Sequence, residues 1–233
     1  MKKFVEIKIP ILTAAILLIF DRIDISANWA EEQSCQILKE LLNLDINLVV
    51  EFIDSVTREA EICAQNIPQF GKVETVVKVP EIICKKNFKP LDFAFLGYLL
   101  KNDINSSNAA NQKFGENHGK LSSLIGLTRL QNNKFTNSAI TYAYVNCFDD
   151  KEKMQLLKRL FFRVPIVQKL IRESAKGTIN GYNYMLQLKD STIIRRGSSV
   201  KKILNYIKKD EEGVVVSRID NIIWDTKGIR HES

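Results

Sequence analysis

The sequence predicts a mainly helical protein with small β elements, and three observations carry that prediction. Apolar residues recur at spacings of three and four along most of the chain. Gly, Pro, Asn and Ser interrupt those runs at short intervals, as they do between helices. Only three stretches, 73–79, 134–145 and 214–224, read as strand or hairpin. The 233 residues are 45% hydrophobic and 26% charged, a balance that supports a folded core of one large domain or two to three small ones.

Taken in order, Met1-Lys2-Lys3 and the apolar run Ile9–Phe20 imitate a secretory signal. Glu6 and Lys8 interrupt the pattern, and twelve apolar residues are too few to span a bilayer, so a buried core helix is expected. Ser26 or Asn28 caps a helix reaching about Leu44, with Trp29, Ile37, Leu38, Leu41 and Leu42 inward. Asp45 opens a longer helix whose apolar face runs from Leu48 to Cys63, ended by Pro68 and Gly71. Val73–Val79 reads as a short strand. Pro90 opens a helix through Leu100, 102–111 is an Asn/Ser-rich loop, and a short helix covers 117–125. A strand or wing over 134–145 passes into helices at 149–161 and 164–176. A short helix at 182–189, a longer one at 191–209 and a hairpin or wing at 214–224 complete the chain.

Charge is unevenly placed. Residues 151–209 hold fifteen Lys/Arg against three acids, a net of +12 within a total of +7, whereas 1–90 carry −2 and 210–233 carry −3. One sign concentrated in one stretch is the pattern expected of a polyanion-binding surface. The most informative segment lies there. Asp190 or Ser191 serves as N-cap, and Ile193, Gly197, Val200, Leu204 and Ile207 fall at spacings of four, three, four and three on one face. Arg195, Ser198, Ser199 and Lys202 then fall on the other faces, flanked by Arg196 and Lys201. Guanidinium and hydroxyl groups are suited to base edges and phosphates, and Gly197 permits close approach. The expected arrangement is a helix-turn-helix with 182–189 as support, 191–209 as reader and 214–224 as wing.

The pattern Ser191-Thr192-x-x-Arg195-Arg196-x-Ser198-Ser199-Val200-x-x-Ile203-Leu204-x-Tyr206-Ile207 resembles a motif of winged-helix modules in bacterial restriction endonucleases and related defence proteins. That motif has tryptophans where Ile203 and Tyr206 stand and alanine where Gly197 stands. The run 118–128, HGKLSSLIGLT, is similar to the family's earlier helix-turn element, and 156–165, LLKRLFFRVP, resembles the linker between paired modules. The resemblance spans about 90–225. It implies tandem winged helix-turn-helix modules at 89–148 and 149–233; with the helical domain that periodicity gives for 1–88, where no family is recognised, the expected fold is mainly α with small β wings. With the charge and the helix face, it makes duplex DNA the expected partner, read by Lys189, Ser191, Thr192, Arg195, Arg196, Ser198, Ser199, Lys201, Lys202 and Lys208, with Lys120 and Arg129 in the first module. The expected setting is a cytoplasmic restriction or antiphage system, with a nuclease or other effector subunit, or a second copy, docking on 1–88. A winged-helix transcriptional regulator and a nuclease with an unrecognised centre are the alternatives.

The chemistry-bearing patterns are sparse. Cys35, Cys63, Cys84 and Cys147 form no CxxC pair, only His118 and His231 offer imidazole, and Cys35 and Cys63 suit reduced, buried thiols; no metal or cofactor is expected. Glu6-Ile7-Lys8 has the acid-x-Lys look of a Mg²⁺ nuclease but no acid upstream, Glu74-x-x-x-Lys78 is wrongly spaced, and no phosphate-binding Gly loop occurs. No catalytic residue is assigned.

Overall fold

The computed structural model describes residues 10–20, 29–56, 61–102 and 107–228. Among these it is mainly helical, with eleven α-helices and five short strands. They form two compact units. The first is built from the described residues of Met1–Asn43 and Phe70–Arg163, the second from those of Leu44–Gln69 and Val164–Ser233. The division suggested by chain order, at 88/89 and 148/149, groups the residues differently.

In the first unit α1 (Ile11–Ile19) buries Ala14, Ala15, Leu18 and Ile19, while Ile11 and Leu12 stay exposed. The apolar run is therefore amphipathic in its packing. α2 (Glu31–Asn43) buries Ile37, Leu38 and Leu41 as its periodicity predicts; Ser26 and Asn28, its expected caps, lie outside the described residues, as do Glu6 and Lys8. Cys35 on α2 is disulfide-bonded to Cys147, which corrects the expectation of a reduced thiol there.

The segment 73–85 is α4 (Val73–Lys85), not a strand. Its Val residues favour β structure, but Val73, Val76, Val79 and Ile83 are spaced for one helical face, and all four are buried. Propensity is the weaker signal, and the packed face prevails. β1 (Leu91–Asp92) follows, then α5 (Phe93–Lys101), whose first turn is capped by Asp92 accepting from the Phe95 N–H at 2.8 Å. α6 (Asn108–Leu124) is capped by Ser107 and begins nine residues before the short helix expected at 117–125. Asn and Ser suggested a loop there, but that stretch contributes Asn111 to the buried stripe Asn111, Gly115, His118, Gly119 and Ser122.

β2 (Thr128–Gln131) and β3 (Lys134–Asn137) form a hairpin through Asn132 and Asn133, both at positive φ, and β1 pairs with β3 in the order β1-β3-β2, all antiparallel. Val79, Ile83, Leu91, Leu96 and Phe135 form the core under this sheet. Residues 73–137 thus run helix, strand, helix, helix, hairpin. α7 (Thr141–Asn146) and α8 (Asp150–Leu160) complete the unit, α8 opening on an Asp149–Glu152 capping box.

In the second unit α3 (Ile46–Ser55) ends well before Cys63, which sits in non-helical chain. α9 (Pro165–Glu173) starts with Pro165 in its first turn. β4 (Ile179–Asn180) leads through a 3-10 turn at Gly181–Tyr184 to α10 (Asp190–Lys208). The wing expected at 214–224 is instead α11 (Val214–Asp220) and β5 (Ile222–Ile223), which pairs in parallel with β4. Val215 and Ile219, four apart, are buried, and Asn47 Oδ1 accepts from the Val215 N–H at 3.0 Å, providing a cap that no nearby residue supplies.

α5 and α6 cross with backbone against backbone. A Cβ at Gly97 would collide with the Asn111 carbonyl, and one at Gly115 with the Phe93 carbonyl and the Gly97 backbone. Neither obstacle is a flexible side chain, so the helices must separate to accept one. Gly115→Ala is expected to cost at least about 1–3 kcal/mol, measured by urea unfolding. Unchanged stability would show that the crossing tolerates a wider separation.

Candidate functional site

α10 divides into two faces as its sequence predicts. Ile193, Gly197, Val200, Ile203, Leu204 and Ile207 are buried. Lys189, Ser191, Arg195, Ser198, Lys201 and Lys202 are exposed, and Thr192 is half-buried. The buried stripe fixes the rotation of the helix, so this polar set faces outward because the apolar set faces in. The N-cap is Lys189, without a side-chain cap, rather than Asp190 or Ser191.

Three expected site residues, Ser199, Arg196 and Lys208, are placed otherwise, and so is Gly197, expected to permit close approach. Ser199 is buried, only 3% exposed, because it lies beside Val200 and one turn from Ile203 on the inward side. Gly197 faces inward, where an added Cβ would come within 2.5 Å of the Tyr182 ring, so its smallness serves that ring and not a ligand. Tyr182 in turn stands edge-on to Trp224 at 5.2 Å between centroids. Arg196 turns back to donate to the carbonyls of Ala64 and Ile67, the second at 2.6 Å. Burial, and then the neighbouring Arg195, lower its pKa from the ordinary arginine value. Lys208 is paired with Asp220.

Arg196 belongs to a pattern. Arg163 donates to the Leu18 carbonyl, and Arg172 donates through Nε and Nη2 to the Ile53 carbonyl at 3.2 and 2.9 Å. Arg218 is bonded to Asp54. Lys153, Lys158 and Arg159 are buried along α8, and Lys169 and Lys176 both pair with Glu173. Much of the +12 stretch is therefore structural charge. For Arg163, Arg172 and Arg196 the local sequence shows no signal of this, because each partner carbonyl lies more than a hundred residues away.

In the first unit Lys120 is tied to Glu116 at 2.7 Å, and that bond, with Lys113, holds the Glu116 carboxyl below its usual range despite partial burial. Arg129 lies half-buried on β2. The exposed polar groups are Asn108, Gln112, Lys113 and, despite its pairing, Lys120 on α6, and Gln131, Asn132, Asn133 and Lys134 at the hairpin tip. Two adjoining cavities lie beside them. One, of about 430 Å³, is lined by Asp92, Phe93, Ala94, Gln112 and Asn133. The other, of about 370 Å³, is lined by Asp92, Ala94, Phe95, Tyr98, Asn108 and Asn111. Sequence reading missed this groove because 102–111 looked like loop.

His118 is a satisfied core residue: Nδ1 bonds the Phe114 carbonyl at 2.9 Å, and Nε2 accepts from the Gly71 N–H at 3.2 Å. Burial, with Glu81 adding, pushes the Cys84 thiol up to about 11, so it is a poor nucleophile at neutral pH. Among the described residues no group of three or more His, Cys, Asp or Glu is placed to hold a metal ion, and no helix is long and apolar enough to cross a membrane. No family model, curated protein or solved structure matches the chain.

The contrast between adjacent arginines is directly measurable. Arg196→Ala is expected to lower stability by about 1.5–3 kcal/mol, the range for hydrogen bonds to a charged group. Arg195→Ala, at an exposed position, should change stability by less than about 0.5 kcal/mol. Thermal melts of the two variants check this, and equal melting temperatures would contradict the assignment.

Proposed function

We propose that the chain binds duplex DNA as the recognition component of a restriction or antiphage defence system whose effector is carried on another chain. The observation that carries the duplex reading is the two-faced character of α10. Its apolar side is packed, while Lys189, Ser191, Arg195, Ser198, Lys201 and Lys202 stand outward along one helix. Such a helix fits the major groove, where Arg bonds guanine O6 and N7 in a bidentate fashion and Lys and Ser meet phosphates. The defence setting rests on the resemblance of 190–207 to restriction-enzyme modules.

The order of elements in 73–137 adds support. Helix, strand, helix, helix and hairpin, with the first strand closing on the hairpin, is the order of a winged helix, beginning at α4 rather than at residue 89. On this reading α6 is the reading helix of that module and β2–β3 its wing. The C-terminal module carries α11 in place of a wing, so its contact with DNA runs through α10 alone.

With Lys189, Lys201, Lys202 and Lys209 as the exposed lysines of α10 and its ends, the slope of log K against log salt should be about −3 to −4. Arg195→Ala should weaken binding by about 1–3 kcal/mol and relax selectivity at one base pair, whereas Lys201→Ala and Lys202→Ala should weaken all duplexes alike and each flatten the slope by about one. Titration of labelled duplexes from 50 to 200 mM salt measures both. A flat salt dependence, or unchanged affinity and selectivity in folded Arg195→Ala, would refute duplex reading by this helix.

A further inference from the structure

The first unit presents rings to solvent where a core-forming helix would hide them. The Asp92 cap sets the first turn of α5, and Phe95 and Tyr98, three apart, lie on its outward side, 44% and 40% exposed. Both line the cavity of about 370 Å³ with Asp92, Asn108 and Asn111. Lys86 Nζ stands 5.8 Å from the Phe95 ring centroid, and Lys101 Nζ lies 5.4 Å from that of Phe114.

We propose that this aromatic–lysine face binds unpaired bases of a single-stranded nucleic acid. The rings offer flat faces on which a base stacks, and a base already paired within a duplex has no free face to offer. Asp92 and Asn108 on the cavity wall provide a carboxylate and an amide for base edges, and a carboxylate accepts from exocyclic amino groups as it does from cytosine N4. Lys86, over the Phe95 ring, supplies positive charge for a phosphate backbone. The proposal goes beyond duplex binding; its cavity shares no residue with the α10 face and takes Asn108 and Asn111 from the first turns of α6.

The test uses the full chain and fluorescence anisotropy at low salt. The probes are a 12-nucleotide mixed-sequence DNA strand, its RNA counterpart, a deoxyribose-phosphate strand of equal length without bases, and the matching duplex. The base-bearing strand should bind at least about tenfold more tightly than the abasic one. Phe95→Ala and Tyr98→Ala should each weaken that strand by about 5- to 150-fold, the stacking range for one base, while leaving the abasic strand unchanged, and Phe95→Trp should retain binding. If Phe95→Ala melts early, Tyr98→Ala and Lys86→Ala carry the test. DNA against RNA identifies the natural strand, and either preference supports the proposal. Absent strand binding, equal affinity for the abasic strand, or unchanged affinity in the folded ring variants would each overturn it. So would loss of strand binding in Arg195→Ala/Lys202→Ala, which would place the strand on α10. Failure of the duplex titration with strand binding intact would overturn only the duplex reading.

Discussion

Where α5 crosses α6, the contact is made by backbone. Gly97 lies against the Asn111 peptide and Gly115 against the Phe93 carbonyl, with no side chain to set the spacing. That closeness determines much of the first unit. It holds Asn111, Gly115 and His118 inward, and so turns Asn108, Gln112 and Lys113 outward beside the hairpin tip. It also brings the capped start of α5 next to α6, which creates the two cavities that share Asp92 and Ala94. A larger residue at either glycine would widen the crossing and alter the groove with it, so architecture and candidate site depend on the same few atoms.

Cations in this protein divide between framework and surface. Guanidinium groups carry five fixed donors and suit backbone carbonyls at helix ends and turns. Arg163, Arg172 and Arg196 are used in this way, each tying a helix or turn to chain distant in sequence. The lysines left outward on α10 are compact, hydrated charges better suited to phosphate than to planar bidentate bonding. Net charge along the sequence counts both kinds together and so overstates the surface available to a polyanion.

Periodicity was the reliable guide wherever one helix's burial is settled by its own residues. The α10 stripe from Ile193 to Ile207 is buried as its spacing predicts, and the break expected near Pro165 is where α9 opens. At 73–85 the same signal was present, in Val73, Val76, Val79 and Ile83, but β-branched composition outweighed it in the reading. At 108–116 the Asn-rich composition concealed a helix whose buried face is made of Asn and Gly, which no hydrophobic pattern can mark.

The amino-acid sequence by itself determined that the chain is mainly helical, which side of α10 is inward, and where its positive charge is concentrated. These depend on neighbours within a few turns. Tertiary structure decided that 214–220 is a helix, since its cap is Asn47, and that Arg196 is a tie, since its acceptors are Ala64 and Ile67. It also decided that Phe95, Tyr98 and Asn108 share one cavity. The physical reason is common to all three: each depends on a hydrogen-bond acceptor or a packed surface contributed by another element, and spacing along a single helix carries no record of it.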